Sequence, residues 1–268
     1  MELTQHALDV TRLQRPGGMP VPLREPLERP NGEAGRLHTR PGSVRIDRSS
    51  LDDRPIVMPG DPGPAAHAFR MLRTQLLQRV RHHRVRAIGI VSAADGEGKT
   101  VTSVNLALSL AVEPNQTVLL VDLDLRRPSV ASTLKLSIER GLESWFTDGA
   151  GTIDEITYPV EGFQRLSILP TLMPVVASSE ALAGARAQSM LAELKTCEAN
   201  RLVLFDLPPL LLTDDFMTIA AHLDGVVVIA REGRTKREDL TRMAEMLGPV
   251  RVLGTVLNYS AQFERRAY

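Results

Sequence analysis

Cysteine is almost missing from this chain of 268 residues: Cys197 stands alone. One cysteine excludes an internal disulfide framework and a cysteine-rich metal site, and it fits a reducing compartment. Charge of one sign is missing as well, since 32 basic residues face 32 acidic ones. A nucleic-acid or anionic-membrane partner would therefore need a local patch, and none is expected. No apolar run approaches the roughly 18 residues that cross a bilayer. The most hydrophobic region, from Leu202 to Ala230, is interrupted by Asp206, Pro208, Pro209, Asp214, Asp215 and Asp224. The opening "MELTQHALDVTRLQRP" has no basic segment followed by an apolar one, so no secretory leader is read there and the chain is expected in the cytoplasm.

What is present divides at about residue 60. Ten of the 18 prolines fall within the first 64 residues, among arginines and acids with no sustained apolar period. Such a segment buries too little surface to offset its ordering entropy, so residues 1–60 read as a disordered Pro/Arg-rich tail, with "SVRIDRSS" a short extended piece at most. Residues 61–268 read as one domain, and 43% hydrophobic content over the chain supplies a substantial core. "PAAHAFRMLRTQLLQRV" carries Phe69, Leu72, Leu76, Leu77 and Val80 at helical spacing. Apolar strands follow at 86–92, 117–124, 166–171, 201–208, 225–232 and 250–258, with helices near 99–113, 179–198, 214–222 and 235–247. Continuous apolar runs alternating with helices predict an α/β fold: a doubly wound, mostly parallel sheet flanked by helices.

The stretch "AADGEGKT", residues 93–100, has alanine where a phosphate-binding loop usually begins with glycine. It nonetheless follows a strand and runs into a helix, which is the setting such a loop requires. In the run Asp95, Gly96, Glu97, Gly98, Lys99, Thr100 and Val101, the glycines let backbone N–H groups point at phosphate oxygens, with the helix N-terminus behind them. Lys99 would reach the terminal phosphates and Thr100 would ligate magnesium. Arginine supplies nearly all the positive charge elsewhere, so a lysine here suits a compact point charge. "VLLVDLDLRRP" ends one strand with Asp122 and Asp124, and "LVLFDLPP" ends another with Asp206. Carboxyl ends of parallel strands are where ligands bind, so the three acids are expected beside the loop and converging on one magnesium. Asp206 would serve as magnesium carboxylate, with Asp122 and Asp124 adding metal ligation or taking a proton from an attacking hydroxyl. Arg126 and Arg127 either neutralise phosphate charge or are solvated loop residues. Asp215 either caps a helix or acts in the site, and Trp145 and Phe146 pack a small helix onto the sheet.

These motifs together resemble the bacterial tyrosine kinases of capsule and exopolysaccharide synthesis, a branch of the P-loop ATPases that includes MinD and ParA proteins. "GEGKT" is similar to the Walker A loop, "VLLVDLDLRRP" to Walker A′ and "LVLFDLPP" to Walker B, while "AFRMLRTQL", "DGVVVIAREGRTKRE" and "VLGTVLN" also match the pattern. The resemblance runs from Pro64 to Tyr268. It implies ATP and Mg2+ held by Lys99, Thr100, Asp122, Asp124 and Asp206, an adenine pocket at Asn258, and phosphoryl transfer to tyrosine. It also implies a homo-oligomer activated by a membrane polysaccharide co-polymerase, or chain-length regulator, that recruits the protein to the inner face of the cell membrane. MinD and ParA proteins carry an extra lysine where this chain has Ala94, which favours the kinase branch over a nucleotide-switch ATPase or a kinase-like adaptor. Two features depart from the kinase pattern. The usual tyrosine cluster is reduced to Tyr158, Tyr259 and Tyr268, of which Tyr268 is the expected phosphoacceptor, and the oligomerisation motif reads His67, Arg70, Arg73 in place of glutamate and two arginines.

Overall fold

The structure, a computed structural model, describes residues 42–51, 55–148, 151–196, 198 and 200–260. Cys197 and Tyr268 lie outside the described residues, as does most of the proposed tail.

Among the described residues seven strands form one sheet in the order β3-β4-β2-β5-β1-β6-β7. They are β1 (Ala87–Ser92), β2 (Thr117–Asp122), β3 (Tyr158–Val160), β4 (Phe163–Leu169), β5 (Arg201–Asp206), β6 (Gly225–Arg231) and β7 (Val252–Asn258). All pair in parallel except β3, which runs antiparallel to β4. The helices are α1 (Pro64–His83), α2 (Lys99–Leu110), α3 (Val130–Thr133), α4 (Leu142–Asp148), α5 (Ser178–Ala183), α6 (Ala185–Thr196), α7 (Asp215–Ile219) and α8 (Arg237–Leu247). Among the described residues no helix is long and apolar enough to cross a membrane.

Strands β1, β2, β5 and β6 are buried along almost their whole length because helices cover both faces, whereas the outer strands β3, β4 and β7 alternate buried and exposed residues. Alternate residues feed two cores. Ile88, Ile90, Leu120, Leu204 and Ile229 pack under α1 and α2, whereas Ala87, Val91, Leu119, Val203 and Phe205 pack under α6 and α8. Strand β1, between β5 and β6, has little room for a side chain at Gly89, where a Cβ would meet Leu207 Cδ1 at 2.8 Å. In α4, Trp145 is buried with the Arg186 guanidinium 4.0 Å from its ring, as the small-helix expectation requires.

Three expectations change. The helix expected at 179–198 is two helices, because the chain turns extended at Gly184 between α5 and α6. Strand β3 is an addition; its three residues, with Pro159 in the middle, suit an edge rather than a sheet centre. The boundary at residue 60 also moves, because described residues 42–51 and 55–60 pack against the domain as a strap. Val44 and Leu51 are buried, Val44 pairs with Val160, and the Asn105 side chain accepts from Val57 N–H and donates to Pro55 O. A few apolar anchors and one buried amide fix what composition alone leaves loose.

Candidate active site

The carboxyl ends of β1, β2 and β5 meet at the loop of residues 93–98. Gly96 (φ 72°) and Gly98 (φ 91°) take left-handed backbone, and a Cβ on Gly98 would lie 2.0 Å from Asn258 Nδ2. Side chains from elsewhere fix this loop from outside. Glu97, 1% exposed, accepts Ala94 N–H at 3.1 Å and the Thr235 hydroxyl, which in turn accepts Arg231 N–H. Arg231 Nη1 donates to Gly96 O at 2.9 Å, and Asn258 Nδ2 donates to Glu97 O at 3.1 Å. Asp95 pairs with Arg127 at 2.6 Å. The cradle is thus preorganised although its first glycine is replaced.

Lys99 and Thr100 open α2, with Val101 half-buried beside them. Thr100 Oγ1 donates to Asp206 Oδ2 at 2.7 Å and lies 2.9 Å from Ser129 Oγ, while Ser103 Oγ donates to Asp206 Oδ1 at 2.8 Å. Asp122 Oδ2 accepts the N–H groups of Ser129 and Val130, both at 2.9 Å. Asp124 Oδ1 accepts Arg127 N–H at 3.0 Å. Asp122 and Asp206 are fully buried, and Lys99 and Asp124 are each 6% exposed.

Burial, with Asp206 repelling it, pushes the Asp122 carboxyl well above the usual range. Burial pushes Asp206 up to about 6, although its bonds from Thr100 and Ser103 pull the other way. Burial raises Asp124 too, against the Arg127 N–H and Lys99. Two buried, mutually repelling carboxylates with an adjacent hydroxyl form an all-oxygen donor set that suits a hard cation such as magnesium. They do not close into a metal cage by themselves: among the described residues no three His, Cys, Asp or Glu side chains are grouped to hold an ion. Oxygen atoms of a bound ligand would have to complete the shell.

Ser103, Ser129, Thr235 and Arg231 are site residues that sequence patterning missed. Only Ser103, one helical turn after Lys99, left a readable signal. Arg126 turns away from the loop to Ser178, Asp214 and Asp215, and its Asp215 partner is fully buried. Tyr158 is buried with its hydroxyl on Arg140 O, and Tyr259, in left-handed backbone, stacks under the Arg231 guanidinium at 4.0 Å.

This geometry has known counterparts. A family model described as an AAA domain matches residues 85–248. Tyrosine-protein kinase YwqD of Bacillus subtilis is 28% identical over 219 residues, covering 81% of this chain and 90% of that protein. Tyrosine-protein kinase CpsD of Streptococcus agalactiae is 30% identical, covering 71% of this chain and 81% of that protein. The solved VpsO kinase domain superposes with a TM-score of 0.64 at 27% identity, over 73% of this chain and 95% of that one. The chromosome-partitioning ATPase Soj of Thermus thermophilus is 37% identical, but over 54% of each chain. The chain belongs to the AAA-domain P-loop ATPases, in the branch of the bacterial tyrosine-protein kinases.

Proposed function

We propose that this protein is an ATP- and magnesium-dependent protein-tyrosine (auto)kinase that regulates polymerisation and export of an exopolysaccharide or capsule. The single observation that carries this reading is the buried Asp122–Asp206 pair with Thr100 bonded to Asp206, at the mouth of a preformed phosphate cradle. Backbone N–H groups of residues 95–101 and the Lys99 ammonium hold the triphosphate of ATP, with Asn258 at its base end. Thr100, Asp206 and Asp122 hold magnesium, which when bound neutralises charge on the phosphate oxygens.

Asp124 is the proton acceptor. Both Asp122 oxygens are held by backbone N–H groups, from Ser129, Val130 and Asp124, whereas Asp124 Oδ2 carries no bond among those described. Transfer forms a bond between the tyrosine Oη and the γ-phosphorus and breaks the bond to the bridging oxygen. ADP leaves, and the hydroxyl proton passes to Asp124. Tyr268 is the proposed acceptor. A membrane-bound chain-length regulator is the proposed activator and recruits the protein to the inner face of the membrane. Tyrosine-protein kinases similar in sequence support this assignment, as does the succinoglycan biosynthesis transport protein ExoP of Rhizobium meliloti, 26% identical over 88% of this chain but only 31% of that protein.

Homo-oligomerisation is proposed with altered contacts. Arg73 is committed to Glu113 at 3.1 Å and to Ser109 O, which leaves the exposed Arg70 to represent the family's arginine pair. The test is incubation with labelled ATP and magnesium, followed by mapping of phosphotyrosine by mass spectrometry. Label on Tyr268 in the wild type and none in Lys99→Met is expected. Hydrolysis without phosphotyrosine would instead favour a nucleotide-switch ATPase, the second reading that the Soj match supports.

A further inference from the structure

The neutral balance of the whole chain conceals one segregated stretch. Between Asp61 and Asp95 the sequence has no acidic residue, yet it carries six arginines, four of them within "RVRHHRVR", residues 79–86. The fold gathers that run at the amino end of the parallel strands. Helix α1 ends at His83, Arg84 caps it in left-handed backbone (φ 55°), and Arg86 leads directly into β1. Arg251 leads into β7, which is parallel to β6 as β6 is to β1, so it stands at the same end. Two contacts fix the arrangement. Arg79 Nη1 donates to Leu253 O at 2.5 Å, and Arg251 Nη1 lies 2.6 Å from His83 Nδ1.

A helix end gathers some positive charge merely to offset the negative pole of its dipole. Arg81, His82 and His83, in the last turn of α1, meet that need. Arg86 and Arg251 lie outside the helix and exceed it. The acids at this end are already engaged: Asp224 accepts the N–H groups of Arg86 and Ala87 and pairs with Lys195, and Glu198 pairs with Arg201. Among the described residues no ion pair takes up Arg79, Arg81, Arg84, Arg86 or Arg251, and all but Arg86 are exposed. The basic groups press on one another instead. A guanidinium only donates, so His83 Nδ1 accepts from Arg251 and its imidazole is neutral. Desolvation and the charges of Arg251, His82 and Arg79 lower the pKa of that ring. Like charges held side by side, with no acid of the protein to answer them, mark a surface that an anionic partner completes.

We infer that this surface docks directly on an anionic lipid bilayer. The inference rests on the function proposed above, which sets the protein at the inner face of a membrane, and it adds a contact that the protein makes with its own residues. Charge spread over a helix end and two strand starts suits headgroups that move laterally to meet it, and clusters of about four to eight Lys or Arg bind such surfaces. Beside Arg251 stands Val252, 44% exposed, an apolar side chain for the headgroup boundary. Residues 79–86, 251 and 252 include no Phe, Tyr or Trp on which a nucleic-acid base would stack. The orientation also serves the site. The six residues of β1 span about 20 Å between the patch and the phosphate cradle. A bilayer held at the amino end therefore leaves the cradle open to ATP and to an acceptor.

The test is flotation of the full chain with vesicles of phosphatidylcholine and phosphatidylserine mixed two to one. Saturable binding is expected, at least tenfold weaker on pure phosphatidylcholine and weakened by added salt. Each arginine at such a surface contributes about fivefold in affinity, so Arg81→Glu combined with Arg84→Glu should lower binding at least tenfold, and the milder Arg81→Gln with Arg84→Gln by less. Affinity for a non-hydrolysable ATP analogue and the melting temperature should stay at their wild-type values. Arg237→Glu with Arg242→Glu, an equal change of net charge on exposed side chains of α8, should leave vesicle binding unchanged. An equal loss in that variant overturns the proposal, reducing the effect to net charge. Absence of binding, or equal binding to the two lipid compositions, overturns it as well. Tighter capture of duplex DNA or polyglutamate than of vesicles, lost in the Arg81 and Arg84 variant, would reassign the surface to a macromolecular polyanion. Phosphotyrosine is measured in parallel with ATP. Vesicle binding without any phosphotyrosine would overturn the kinase function and leave the docking surface standing, whereas phosphotyrosine without vesicle binding would do the reverse.

Discussion

Aspartates finish both ends of the parallel strands, and the two ends treat them oppositely. At the amino end, Asp224 Oδ2 accepts Arg86 N–H at 2.7 Å and Ala87 N–H at 3.0 Å, and Oδ1 pairs with Lys195 at 2.5 Å. Its charge is answered on the spot. At the carboxyl end, Asp122 and Asp206 are buried against each other with raised pKa values and, among the described residues, no ion pair. A compensated carboxylate ties strands together, whereas an uncompensated pair stores demand for a cation. The same residue type therefore signals structure at one end of the sheet and chemistry at the other.

The largest expected effect tests the carboxyl end directly. Lys99→Met should cost on the order of a hundredfold or more in nucleotide affinity, because one charged donor to phosphate is lost from a preorganised site. Calorimetry reads it, and the melting temperature should barely move. Wild-type affinity in the folded variant would remove the cradle assignment. Next, Asp206→Asn should lower transfer at limiting magnesium by about a hundredfold.

Asp206 also sets a pH dependence. Its folded value of about 6 lies above the ordinary 3.8, so between these limits the native state binds more protons than the unfolded state. Stability of the ligand-free protein should fall as pH rises through that window, and Asp206→Asn should flatten the fall. A slope identical in variant and wild type would show that the carboxylate carries no such strain.

Asp224→Ala should invert the pattern. It orphans two backbone N–H groups and a lysine, so about 2 kcal/mol of stability should go while nucleotide affinity stays. If denaturant titration shows no loss, the contrast between the two ends collapses. The smallest effect belongs to Asn105→Ala, which releases the strap at Pro55 and Val57 and should cost about 1 kcal/mol. Faster amide exchange at Val57, with unchanged exchange in β1, would localise the loss.

Much of this was legible in the sequence. The strand, loop and helix around "GEGKT" and the acids at strand ends carry local signals, since burial writes continuous apolar runs and chemistry interrupts them. What was illegible depends on partners distant along the chain. Glu97 reads as a loop residue until Thr235, brought alongside it by the fold, accepts a role in holding it. Of the strap only the short extended piece "SVRIDRSS" was readable, and its packing was missed because Val44 and Leu51 are isolated buried residues in a proline-rich stretch, with an asparagine in α2 as a further anchor that gives no warning. Arg126 stood open between phosphate and solvent and proved to be a strut, a role decided by Asp215 folding beneath it.

The strap has one more consequence, for the order of folding. Val44 N–H donates to Pro159 O and Glu161 N–H donates to Val44 O, so the edge at β3 is sealed by a residue synthesised far ahead of it. A contact of such sequence separation closes a long loop and is favourable only once both ends are in place. During synthesis the leading segment must wait for β3 to emerge, and until it does, that edge stands open to strand addition by a neighbouring nascent chain.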